Sequence, residues 1–211
     1  MTRIQKTVLI LVALIALVLG LTFSRVLTGT RQADPAALLD AGIVLLPRSR
    51  PLPSLPLTDQ DGRPQALDQL RDKWSLVFFG YTFCPDVCPT TLAELRQLNG
   101  LLPAQTRERL RVVMVSIDPN RDTPAQLKQY LGYFDPAYVG LTGELADIQK
   151  LAGAVGIPFI PGDTSRENYT VDHSGNLVLL GPDGTQRGFV RAPLNPGKLA
   201  EQLPLLVESQ P

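Results

Sequence analysis

The sequence feature that most constrains the fold is an unbroken apolar run, WSLVFFGY, at residues 74–81. The run has the length of a β-strand, and its lack of alternation is typical of a strand buried on both faces of a sheet. A second run of the same kind, RVVMVSI, lies at residues 111–117. Since such strands need helices on both sides of their sheet, the two runs predict central strands of an α/β domain.

Helical patterns alternate with these strands. Residues 89–102 carry leucines at helical spacing on one face. Thr123 can cap a further helix, with Pro124 at its first position and Gln126 completing a capping box. The other predicted elements are a hairpin at 55–67, a short strand at 138–141, a helix at 144–155, strand-like pieces at 169–171, 176–180 and 186–191, and a C-terminal helix from Asn195 to Val207. This order predicts a mixed sheet flanked by helices.

The N-terminal segment has the length and composition of a membrane helix. Residues 7–24 carry no charge, and as a helix they would span about 27 Å of the roughly 30 Å hydrocarbon core. No Ala-x-Ala cleavage site follows, which favours an uncleaved signal anchor over a cleaved signal peptide. Arg3 and Lys6 before the segment favour a cytoplasmic N-terminus. We therefore expect a single pass through a bacterial inner membrane, with the globular part in the periplasm.

Three parts are predicted along the chain. Residues 1–25 form the anchor helix, residues 26–50 a linker with one short helical stretch, and residues 51–208 the folded domain. Lysine plus arginine number 20, and aspartate plus glutamate also number 20. Because nucleic-acid binding needs a net basic face, this balance argues against a nucleic-acid partner.

The two cysteines of the chain, Cys84 and Cys88, lie close together in sequence. A disulfide closing so short a loop adds little stability through chain entropy, so the pair indicates metal or redox chemistry. The pair lies between the first buried strand and its helix, as in thioredoxin-like folds. Ligands gather at this end of the strands, and the helix N-terminus favours the thiolate, which binds metals and attacks disulfides.

The chain's single histidine, His173, would complete a soft donor set with the two thiolates. Such a set suits Cu(I), and imidazole also serves Cu(II), whereas a structural zinc site would need a fourth ligand such as Asp86 or Asp172. From the residues alone, His173 is interpreted as an exposed turn histidine that hydrogen-bonds to Asp172 or Ser174. Whether it also binds a metal stays open at this point. Asp86 can either cap the following helix or orient and tune a ligand.

Four ordered motifs resemble the Sco/SenC family of copper chaperones. They are FFGYTFCPDVCPTTL at residues 78–92, VSIDPNRDTP at 115–124, GLTG at 140–143 and YTVDHS at 169–174. The resemblance covers roughly residues 51–208. It implies a thioredoxin-like fold behind an N-terminal membrane anchor.

The resemblance also implies a function. It places one copper ion per monomer, as Cu(I) or Cu(II), on Cys84, Cys88 and His173. It implies a metallochaperone rather than an enzyme, acting in the maturation of the dinuclear copper A centre in cytochrome c oxidase subunit II. Copper delivery and reduction of the target cysteines are both compatible with it. A periplasmic copper donor and a thiol reductant would be further partners.

Two other functions would use the same cysteines. A thiol–disulfide oxidoreductase of the same compartment is motivated by thiols near a helix terminus, although thioredoxins have two residues between their cysteines and this chain has three. A peroxiredoxin would use the same thiolate, but the sequence has no distant second cysteine to resolve a sulfenic acid. Residues 118–123 are interpreted as a structural turn followed by a helix cap.

Overall fold

The computed structural model describes residues 2–28 and 33–208 of the 211-residue chain. The chain divides into two compact units, Met1–Gln32 and Ala33–Pro211. The first unit contains one long helix, α1 (Arg3–Thr28). Its stretch Arg3–Thr22 has a mean hydropathy of 2.4 and is long and apolar enough to cross a membrane. The predicted apolar N-terminal helix is therefore present and fits a membrane anchor.

The second unit alternates strands and helices. In chain order its elements are α2 (Pro35–Asp40), β1 (Ile43–Arg50), β2 (Leu57–Asp59), a 3-10 turn (Leu67–Gln69), β3 (Trp74–Gly80), α3 (Val87–Leu101), α4 (Ala104–Arg109), β4 (Leu110–Ser116), α5 (Pro124–Gly132), β5 (Val139–Gly143), α6 (Leu145–Ala154), β6 (Leu177–Leu180), β7 (Gln186–Val190) and α7 (Pro196–Glu208).

Among the described residues, seven strands form one mixed sheet in the order β1-β7-β6-β3-β4-β5-β2. Strands β3, β4 and β5 run parallel to one another, and the other neighbours pair antiparallel. Every residue of β3 is buried, as its unbroken apolar sequence predicts. The predicted mixed sheet with flanking helices is confirmed. Because β3 is the fourth of the seven strands, its C-terminal end lies in the middle of the row of strand ends.

The predicted linker at residues 26–50 needs correction. Its short helical stretch exists as α2, but residues 43–50 form strand β1, which pairs antiparallel with β7 at the sheet edge. The folded unit thus begins at Ala33 and not at residue 51. Strand β1 is hard to recognise from sequence, because it contains Pro47, which lacks the N–H needed for pairing and is found mainly in edge strands. Residues 29–32 lie outside the described part.

Two further elements differ from the prediction. The strand expected at residues 169–171 does not form, and this region makes only an isolated bridge between Ile160 and Asp172. Helix α4, a single short helix between α3 and β4, was not predicted, because its polar sequence AQTRER has no apolar periodicity. The long segment at residues 155–176, between α6 and β6, is therefore built mainly from loop.

Candidate metal centre

The two cysteines flank the turn that joins β3 to α3. Cys84 lies in the turn and is half-buried, whereas Cys88 lies in the first turn of α3 and is fully buried. Gly80, the last residue of β3, leaves room for the second sulfur, since a Cβ there would lie 2.8 Å from the Cys88 Sγ. The backbone N–H of Tyr81 faces the same sulfur at 3.5 Å. The buried strand therefore positions Cys88 against its own end.

His173 comes from the long connection at residues 155–176. Its Nδ1 lies 3.2 Å from the backbone carbonyl oxygen of Ser174. Because a carbonyl only accepts, Nδ1 carries the hydrogen in this bond, and Nε2 is the ring nitrogen that faces the two sulfurs. The imidazole also makes edge-type contacts with the rings of Phe78 and Tyr81, at centroid distances of 5.9 and 5.7 Å. These contacts restrict the rotation of the imidazole ring within its loop.

The three side chains meet at one point. Nε2 of His173 lies 3.6 Å from Sγ of Cys84 and 3.5 Å from Sγ of Cys88, and all three donor atoms lie within 4.8 Å of one another. Bonds of about 2.0–2.3 Å from sulfur and imidazole to a metal fit such separations. Among the described residues, no carboxylate joins this group. The donor set is therefore soft and three-membered, which suits copper better than structural zinc.

The two thiols differ strongly in acidity. The pKa of Cys84 falls from its ordinary 9.0 to about 4, mainly because the Cys88 side chain hydrogen-bonds to its sulfur. Hydrogen bonds from His173 and from the backbone N–H groups of Asp86 and Cys88 lower this pKa further, whereas burial of the thiol opposes the shift. The same hydrogen bond to Cys84, followed by burial, raises the pKa of Cys88. The reduced pair without metal thus holds one thiolate, on the more exposed sulfur.

Asp86 occupies the N-cap position of α3, but its side chain makes no capping hydrogen bond and is exposed. The helix-capping interpretation is therefore wrong. The contact between Asp86 and the site runs through its peptide N–H, which hydrogen-bonds to the sulfur of Cys84. A role of its carboxylate in tuning the metal stays a prediction.

Residues 118–123 do more than turn the chain. Thr123 caps α5 as predicted, accepting a hydrogen bond from the N–H of Gln126 at 3.2 Å. In addition, the buried Asp122 accepts hydrogen bonds from Thr82, in the cysteine turn, and Asp118 accepts one from Tyr169, near His173. Sequence reasoning missed both contacts. The signal available was a cluster of charged residues directly after a buried strand, at the edge where ligands gather.

Comparison with known proteins decides the family. The SCO1/SenC family profile matches residues 51–208. The chain belongs to the SCO1/SenC family. The resemblance drawn from the four motifs is thereby confirmed. A related protein of Stutzerimonas stutzeri, named "Putative copper-binding protein", is 49% identical over 178 residues, which cover 84% of this chain and 87% of that protein.

Solved structures of the family share the fold. ScoI of Bradyrhizobium japonicum, solved with copper bound, is 35% identical, with a TM-score of 0.64 over 72% of this chain and 96% of that one. Yeast Sco1, also with copper bound, is 27% identical, with a TM-score of 0.70 over 77% of this chain and 91% of that one. The predicted thioredoxin-like fold is confirmed by these matches.

Proposed function

We propose that this SCO1/SenC protein is a copper metallochaperone that carries one copper ion on Cys84, Cys88 and His173. The observation that carries the proposal is the convergence of three soft donor atoms within 4.8 Å, two from the turn and first helical residues after β3 and one from the connection between α6 and β6. Copper in the related ScoI and yeast Sco1 structures supports the choice of metal. The ion is cargo, and the chain's own contribution is to hold it at a place that a partner can reach.

The burial of the ligands suits transfer. Cys88 is fully buried, whereas Cys84 and His173 are half-buried, so that one side of the site is accessible. Three ligands leave a coordination position for an incoming donor, as catalytic metal sites do. A partner that presents thiolates could therefore take up the ion through a shared intermediate without first releasing it to solvent.

The family's tie to cytochrome c oxidase assembly suggests the recipient. We propose that the protein supplies the dinuclear copper A centre of subunit II, from a domain held in the bacterial periplasm. Helix α1 would be the single pass through the inner membrane, consistent with its hydropathy of 2.4 over Arg3–Thr22. A periplasmic copper donor and a thiol reductant would complete the cycle.

An anaerobic Cu(I) titration of the reduced full-length protein in detergent tests the site. We expect one copper per chain and loss of tight binding in Cys84→Ala, Cys88→Ala and His173→Ala. Unchanged copper affinity in His173→Ala would refute the three-ligand site. Incubation of the loaded protein with the apo copper A domain of subunit II then tests the recipient, and failure of copper to move would refute the transfer role.

A thiol–disulfide reductase is the second candidate, favoured by the low pKa of Cys84 beside Cys88. The Cys84 thiolate would attack a disulfide of the target and form a mixed disulfide. Cys88 would then displace the target thiol, so that the target gains two electrons and two protons while this pair becomes a disulfide. Reduction of an oxidised copper A peptide by the metal-free protein tests it, with Cys88→Ser trapping the mixed disulfide. No reduction in the absence of copper would exclude the activity.

A further inference from the structure

One short segment touches both loops that form the metal site. Residues 118–122 connect β4 to α5. On one side, Asp122 accepts hydrogen bonds from the backbone N–H and the hydroxyl of Thr82, at 3.1 and 2.6 Å, and from the hydroxyl of Ser116 at 2.7 Å. This side holds the turn that carries Cys84. The other side reaches the loop that carries His173.

Arg121 is the centre of that second contact. Its guanidinium pairs with Asp118, donates a hydrogen bond to the backbone carbonyl of Tyr169 at 3.0 Å and lies 3.6 Å from the centroid of the Tyr169 ring. The Tyr169 hydroxyl in turn donates to Asp118 at 2.6 Å. The side chains of Arg121 and Asp118 are only 18% and 2% exposed, so their Coulomb attraction is screened less by water than that of a surface pair.

The histidine loop needs such anchors. Residues 155–176 contain no helix or strand in the described structure, and residues 163–168 are all exposed. Loops longer than about 12–15 residues without regular structure are uncommon in compact domains, and those that occur are usually either functional or disordered. Besides Arg121, the Tyr81 hydroxyl accepts a hydrogen bond from the N–H of Val171 at 3.2 Å, and its ring lies near both Arg121 and His173. These contacts hold residues 169–171, and the bridge between Asp172 and Ile160 within the same loop follows directly before His173.

We propose that Arg121, with Asp118 and Tyr169, is a positioning device that holds His173 at the metal. The inference rests on the proposed copper site. Arg121 touches no donor atom, so its effect on the metal must pass through the loop. Arg121 also lies 4.9 Å from the ring centroid of Phe83, the residue before Cys84. Removing Arg121 should nevertheless loosen the histidine loop more than the thiols, because Cys88 is fixed by α3 and Cys84 by the backbone N–H of Cys88. The protein would then fall back to a two-thiolate site.

The test is a double-mutant cycle on the full-length reduced protein in detergent, with Cu(I) affinity measured by competition with a chromophoric chelator. Groups that orient metal ligands typically contribute about 10- to 100-fold to affinity, and we expect that loss in Arg121→Ala. In a His173→Ala background, Arg121→Ala should change affinity by no more than about twofold, the scatter of independent sites. Arg121→Lys should be intermediate, because lysine keeps the charge but lacks the planar fork.

A matched control is Arg187→Ala. Arg187 also pairs with an aspartate, Asp183, and is 27% exposed, but it lies in the β6–β7 hairpin. This variant should bind copper as the wild type does. Hydrogen exchange of the metal-free protein gives a readout without copper: the Val171 amide should exchange faster in Arg121→Ala than in the control. Tyr169→Phe is the milder variant to use if Arg121→Ala folds poorly, because it keeps the ring and removes only the hydroxyl. It should also speed exchange of the Val171 amide and weaken copper binding, but by less than Arg121→Ala.

The outcomes separate the two claims. An equal loss of copper affinity from Arg121→Ala with and without His173, or no loss in either background, would overturn the positioning role while the copper site stands. No copper binding by the wild type, or none of the expected loss in His173→Ala alone, would overturn the site itself and the inference with it. Loss only where His173 is present, together with faster exchange at Val171, supports the inference.

Discussion

Gly80→Ala is a small change that should damage the metal centre. Gly80 ends β3, where it pairs with Ser116 of β4. A methyl group there would lie 2.8 Å from Sγ of Cys88 and 2.5 Å from Cε1 of Phe78, whereas ordinary contacts begin at 3.4 Å. The sulfur would have to move by 0.6 Å (3.4 − 2.8) and the ring by 0.9 Å (3.4 − 2.5). Both side chains are 0% exposed, so neither can swing into solvent.

The cost follows from packing and from ligand geometry. Adding a methyl group to a close-packed core costs about 1–3 kcal/mol. Metal sites hold their ligand distances to roughly ±0.2 Å, a tolerance that a sulfur shift of this size exceeds. To bind copper, the displaced Cys88 sulfur must return to its original position against the added methyl group. The packing cost of about 1–3 kcal/mol is then lost from the free energy of copper binding. The affinity should then fall by about 5- to 150-fold.

Two assays on the full-length protein in detergent check the prediction. Urea unfolding can be followed by the fluorescence of Trp74, the chain's single tryptophan, which is buried in β3. Anaerobic competition gives the Cu(I) affinity. The control is Gly100→Ala near the C-terminal end of α3, where an added Cβ meets nothing within 4 Å. This variant should not lower the free energy of unfolding and should leave copper affinity unchanged. A Gly80→Ala protein with wild-type stability and wild-type affinity would refute the reasoning.

Three further predictions follow from the same geometry. In the reduced metal-free protein, alkylation should label Cys84 before Cys88, because the thiolate is the reacting form and Cys84 has the lower pKa. The alkylation rate should rise as the pH passes upward through about 4, and mass spectrometry locates the label. A rate that rises only near 9.0 would contradict the lowered pKa of Cys84. Copper at 100 times its Kd should raise the free energy of unfolding by about 2.7 kcal/mol, measured by denaturant titration, and Cys84→Ser should remove this gain. Thr123→Ala should lower the free energy of unfolding by about 0.5–2 kcal/mol by leaving the Gln126 N–H without its cap, whereas Thr123→Ser should not.

The fold was predictable where its cause is local. The runs that became β3 and β4 are apolar without alternation because both faces of these strands are covered. The start of α5 follows from Thr123 and Pro124, whose capping roles need only neighbouring residues. Strand β1 escaped prediction because its identity depends on β7, which lies far along the chain. An edge strand with a proline carries too weak a pattern to stand alone.

The sequence alone places Cys84 and Cys88 between a buried strand and the start of a helix, and their close spacing predicts metal or redox chemistry. Which other residues reach the two cysteines becomes visible only in the folded chain. His173, 85 positions beyond Cys88, comes within 3.5 Å of its sulfur, and Arg121 contacts both Tyr169 in the histidine loop and the ring of Phe83 beside Cys84. The physical reason is that spacing along the chain governs contacts within one turn or helix. Contacts between distant loops depend instead on the order of strands in the sheet, which no local pattern records.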